Sequence, residues 1–137
     1  MEWDEVVEHL RARYRVGQVT GSWIELWRSF REGTCAIRQQ QTVRSAELHG
    51  ELYYVLEAEI AAPAHAREVL CASYQLAIGT LVDRGDALVA HAPLPASAVT
   101  PATLERVLRA IGHEAMRLSM LVWQGQRDAA AEEPTAA

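Results

Sequence analysis

The apolar positions of the first fifteen residues recur at helical spacing. Trp3, Val7, Leu10 and Tyr14 share one side, while Glu2, Glu5, Glu8, Arg11 and Arg15 fill the others. Acids early and arginines late also suit the helix dipole. The pattern predicts an amphipathic helix over residues 2–15, stopped by Gly17. The period then changes to two. Trp23 to Phe30 is rich in aromatic and branched residues, and Arg31-Glu32-Gly33 supplies a turn. Cys35, Ile37, Gln39, Gln41 and Val43 next alternate with Ala36, Arg38, Gln40, Thr42 and Arg44. After a break at His49-Gly50, Leu52, Tyr54, Leu56, Ala58 and Ile60 alternate with Tyr53, Val55, Glu57 and Glu59. Three consecutive strands with short turns predict an antiparallel meander.

Pro63 suits the first turn of a second helix, where its missing N–H costs nothing. Val69, Leu70, Tyr74 and Leu76 or Ala77 would form the apolar side of that helix, and Gly79 its end. Two short strands are expected at Thr80–Val82 and Ala87–Ala92, joined by the turn Asp83-Arg84-Gly85-Asp86. Pro93-Leu94-Pro95 closes the second. Thr100 as cap and Pro101 at the first position open the longest helix. Its stripe of Leu104, Val107, Leu108, Ile111, Ala115, Leu118 and Val122 runs to Trp123, with Gly125 as C-cap. Residues 1–126 then form one domain. Residues 127–137, rich in alanine and acids without pattern, read as a disordered tail. No internal repeat is present.

Composition adds exclusions. A chain of 137 residues that is half hydrophobic supports one folded domain. The formal net charge is -5, and all 13 basic residues are arginines scattered along the chain. Phosphate backbones demand clustered cations, so no nucleic-acid partner is expected. The acidic start and the lack of a long apolar run predict no signal peptide and no membrane span, hence a cytoplasmic protein. Cys35 and Cys71 are far apart and have no CxxC partner, which suits two reduced, buried thiols; a single disulfide is the alternative.

No GxSxG, Walker loop, Rossmann glycine pattern or HExxH occurs. His9, His49, His65, His91 and His113 fall in five separate segments and are expected at the surface, so neither metal nor cofactor is expected. Glu57 and Glu59 share a strand face, which reads as a solvated face rather than an acid pair. No catalytic residue is assigned and no enzyme is expected. A compact pocket joining a buried histidine to a carboxylate and a hydroxyl would reopen that point.

The first meander strand carries large apolar groups in both registers: Ile24, Leu26 and Phe30 against Trp23 and Trp27. A sheet covered by helices on one side buries only one register. The other set is either a half-buried sheet surface or a binding face, because exposed apolar patches are commonly covered by a partner. The partner-binding candidates are Trp23, Trp27, Tyr53 and Val55, interleaved with Glu25, Glu57 and Glu59 that would orient a basic client.

The order helix, three strands, helix, two strands, long helix resembles the class I type III secretion chaperones and the related YbjN-type domains. The likeness spans Leu52 to Leu118, and more loosely the first helix. Its best part is Glu68 to Val89, where a helix runs into Gly79, a strand, the turn at Asp83–Asp86 and a second strand. Ala92-Pro93-Leu94-Pro95 and Thr100-Pro101-Ala102-Thr103-Leu104-Glu105 are similar to the family's link into its final helix. Tyr74 stands where many members carry an aliphatic residue, and the meander is unusually rich in tryptophan.

The resemblance implies an α+β, secretion-chaperone-like single domain with a five-stranded, mostly antiparallel sheet. It also implies a non-enzymatic protein that binds an extended segment of a client, and a homodimer whose contacts include Val69, Leu70, Tyr74 and Leu81. The alternative is a YbjN-type or roadblock-like regulatory adaptor. The roadblock fold places its middle helix after two strands, whereas three precede Pro63 here. A small-molecule binder using the aromatic cluster is a third class.

Overall fold

Alternation with period two continues from Trp23 to Ile60, and such a chain can hide its apolar set only by pairing into a sheet with one covered face. The computed structural model describes residues 1–132 except Gly33, with the side chains of Glu32, Cys35 and residues 123–132 outside that description. The chain is α+β. Its elements are α1 (Trp3–Arg13), β1 (Arg15–Val19), β2 (Trp23–Glu32), β3 (Cys35–Leu48), β4 (Glu51–Ile60), α2 (Ala64–Ser73), β5 (Thr80–Asp83), β6 (Leu88–Pro95) and α3 (Pro101–Glu132). The strands form one six-stranded sheet in the order β1-β2-β3-β4-β6-β5, and every pairing is antiparallel.

The register pairs Ile24 with Val43, Val43 with Leu56, and Leu56 with Ala92. These inward residues join the buried residues of all three helices, among them Val6, Leu10, Leu70, Leu104, Leu108 and Ile111, in a single core. Each fully buried aliphatic side chain stabilises the fold by roughly 1.5–3 kcal/mol. Two glutamines also point inward. Gln41 Nε2 donates to the Leu108 carbonyl at 2.9 Å, and Gln39 Nε2 to the Gly112 carbonyl at 3.2 Å. Gly112 permits this approach: a Cβ there would lie 2.6 Å from Gln41 Nε2 and 2.9 Å from Phe30 Cζ.

The turn at His49-Gly50 has positive φ at both residues, the arrangement that suits a two-residue hairpin between twisted strands. Several expected boundaries differ. The first helix ends at Arg13, and Arg15–Val19 forms an additional strand on β2, so the sheet has six strands and the meander four. Tyr14, the C-cap of the helix, is already extended and leads into that strand, and Gly17 lies within it rather than stopping a helix. The second helix ends at Ser73 instead of reaching Gly79, because Tyr74 is already extended. The link beyond it packs Leu76 and Ile78 on the core.

β6 runs through Pro93 to Pro95. Its pairing with β5 ends at His91, and a strand edge tolerates residues without an N–H. The helix α3 passes Gly125 and continues to Glu132, since an isolated glycine costs about 1 kcal/mol and the following alanines favour helix. Of the tail expected over 127–137, residues 133–137 lie outside the described residues. No helix among the described residues is long and apolar enough to cross a membrane.

Candidate functional site

The register places Trp23, Glu25 and Trp27 of β2 on the outer face, away from the helices, with Gln40, Thr42 and Arg44 of β3 and Tyr53, Val55, Glu57 and Glu59 of β4. Trp23, Trp27 and Tyr53 are half-buried there, and the Arg38 guanidinium lies 5.5 Å from the Trp27 ring centre. Val55 shares this register but is only 3% exposed. Its neighbours on a central strand enclose it, so the expected contribution of Val55 to a partner surface is corrected.

Glu57 departs furthest from expectation. Rather than lying on a solvated face it is 6% exposed, at the centre of a charged hub. Arg84 donates Nε to Glu57 Oε2 at 2.9 Å, Arg44 reaches Oε1 at 3.4 Å, and His91 Nδ1 stands 3.5 Å from Oε2. The turn builds this hub. Gly85 N–H donates to Asp83 Oδ1 at 2.9 Å, and Arg67 of α2 donates to the Asp86 carbonyl at 3.0 Å and to that of Gly85. Arg84 is thereby aimed back over β4. The signal was present in the strand register, since Glu57 pairs with His91 and Thr42 and is diagonal to Arg44.

There are two hollows, one on this face and one at its margin, where the sheet opens toward α3. One of about 430 Å³ lies between Trp23, Arg44, Glu57 and Arg84. The other, of about 290 Å³, is bordered by Trp27, Ile37, Ala61, Met116 and Met120. They meet at Gln40 and Glu59, which line both. The second exists because β4 peels away: β3 pairs with β4 only from Gln41 to Leu48, and Ala61 N–H turns to Ser119 Oγ on α3 at 3.0 Å. The stretch from Cys35 to Gln40 therefore pairs with β2 alone, and its other edge lies open beside Ile37 and Met120. The methionines, spaced four apart on α3, were the readable sign of this apolar strip.

The remaining predicted residues lie elsewhere. Val69 (61% exposed) and Tyr74 (41% exposed) present apolar surface around α2. Leu70 is 6% exposed and Leu81 half-buried, and both pack on the chain's own core, so they are corrected as free contact residues. Cys71 is exposed rather than buried, and its thiol is pushed up by partial burial and by Asp83. The side chain of Cys35 lies outside the described residues.

A histidine, a carboxylate and a hydroxyl do come together, between α1 and α3. His9 Nε2 is 2.9 Å from Glu105 Oε1, and Tyr14 OH donates to Oε2. The His9 and Glu105 side chains are 14% and 15% exposed. Burial and the bond to Glu105 push Tyr14 up to about 12. Burial opposes the Glu105 charge, yet the bonds from Tyr14 and His9 outweigh it and hold the carboxyl below its usual value. A carboxylate with one oxygen engaged by His9 of α1 and the other by Tyr14 just beyond it ties this end of α1 to α3. The expectation that all histidines lie free at the surface is corrected for His9 and for His91. Among the described residues no three His, Cys, Asp or Glu side chains cluster as a metal site.

No family model, curated protein or solved structure matches this chain.

Proposed function

We propose that this protein is a non-catalytic binding module that holds an extended segment of another protein on the outer face and along the open edge of β3. The observation that carries the reading is the coincidence of two things. Unpaired main chain at residues 36–40 calls for a strand partner, and the adjoining hollow offers Ile37, Met116, Met120 and Trp27 as side-chain pockets. Strand addition works in this way, with main-chain bonds for affinity and pockets for selectivity. The resemblance to secretion chaperones supports the same class of activity. Four strands before α2 weigh against the roadblock alternative, whose middle helix follows two. A cytoplasmic homodimer is part of this proposal, with Val69 and Tyr74 as the exposed apolar residues available to a second copy.

The test is affinity capture from native lysate, identification of the bound protein, and hydrogen-exchange mapping of the reconstituted complex. Protection is expected at residues 36–40 and on an extended stretch of the partner. Protection confined to another surface rejects the reading, and so does failure to retain any partner.

A further inference from the structure

The N-terminal part of α3 is electrostatically odd. Its first turn carries no acidic residue, although a helix N-terminus favours negative charge. Arg106 and Arg109 follow three apart, a spacing at which like charges repel. Across from them stands Arg13, in the last turn of α1. All three arginines line one polar hollow of about 450 Å³, together with His9, Glu105 and Pro101. Among the described residues none of the three lies within 4.0 Å of a carboxylate oxygen. Among the described residues the only acid lining the hollow is Glu105, whose two oxygens are already engaged by His9 and Tyr14. Three arginines against one carboxylate leave an excess of two positive charges, in a chain whose formal net charge is -5. Arg13 suits the end of α1, but Arg106 and Arg109 near the positive end of α3 gain nothing comparable, and departures from local electrostatic consistency concentrate where a protein binds something.

We propose that the hollow between α1 and the start of α3 binds a phosphorylated small molecule. Arg13, Arg106 and Arg109 would hold the phosphate oxygens through forked N–H donors, geometry that guanidinium supplies and ammonium does not. The positive end of α3 adds to the same field. The hollow is larger than one phosphate needs and falls in the size range of small-molecule sites, leaving room for the organic body of an ester. This site lies on the helical side of the sheet, separate from the outer face, and is independent of the client reading.

Calorimetric titration of the full chain with ribose 5-phosphate, inorganic phosphate and unphosphorylated ribose, at matched ionic strength, tests it. Saturable binding of ribose 5-phosphate and none of ribose is expected. Arg106→Gln and Arg109→Gln should each weaken it about tenfold or more, as loss of a charge-assisted bond does. Arg117→Gln, on the same helix but paired with Glu114 at 3.0 Å, should leave it unchanged. All three arginines are exposed, and unchanged melting temperatures would confirm that the variants fold. No saturable binding below about 10 mM, on the scale where affinity is only marginal, overturns the proposal. So does equal weakening by Arg117→Gln, which would mean diffuse attraction, or binding of phosphate without its ester.

Discussion

Glu57 and Trp27 occupy the same outer face and are expected to behave in opposite ways when truncated. Glu57 is desolvated and holds two guanidiniums, and removing one member of such a group strands the rest. Because Arg44 and Arg84 are each more than a third exposed and can turn to water, Glu57→Ala should cost about 2 kcal/mol rather than the larger penalty of a fully buried pair. Urea denaturation measures this, and a change below about 0.5 kcal/mol, typical of ordinary surface sites, would show the hub to be energetically idle. Trp27 is half-buried and borders the apolar hollow. Trp27→Ala should weaken partner capture by at least about 1 kcal/mol while the melting temperature barely moves. A loss of about 3–5 kcal/mol of stability instead would mark it as core.

Among the elements, those with strong periodicity were legible and those defined by their neighbours were not. The two faces of β2, β3 and β4 follow from alternation alone, because one slip of register would exchange every side chain. β1 was hidden because Arg15-Val16-Gly17-Gln18-Val19 has little strand propensity, and only pairing with β2 makes it a strand. The Arg84 arm of the charged hub was illegible for a related reason: Arg84 comes from a turn, and its aim depends on Arg67 of another element. Gly79 shows such dependence most sharply. Its φ is positive, and a Cβ would lie 2.5 Å from the backbone oxygen of His91. Gly79→Ala should therefore destabilise the chain by about 2 kcal/mol or more, read from thermal and urea melts. The tie between α1 and α3 has a pH signature. A carboxyl held below its ordinary value of 4.5 stabilises the fold fully above that pH, and the contribution is lost as pH falls through the depressed value. Glu105→Gln should flatten the acid limb of the stability profile below about pH 4.5, relative to the parent chain. An unchanged acid limb would mean the bonds to His9 and Tyr14 carry no net linkage.

At the scale of the whole molecule, a two-layer fold with all helices on one face leaves two kinds of surface to be covered. If Val69 and Tyr74 join two copies, light scattering will give twice the chain mass, and Val69→Glu combined with Tyr74→Glu will give the single-chain mass without unfolding. A single-chain mass for the parent protein at tens of micromolar, roughly where weak dimers persist, rejects the homodimer. The projecting end of the β2–β3 hairpin has a further consequence. Beyond Gln41 toward its tip, β3 has no neighbour on the β4 side, and β2 past Trp27 has none on the β1 side. Such a ribbon templates uncontrolled stacking of identical chains, and charged side chains are the usual safeguard. The tip carries Arg31 and Arg38, both exposed. These two arginines are placed to act as gatekeepers: neutralising both should lower the concentration at which the protein precipitates, read from turbidity against the parent chain.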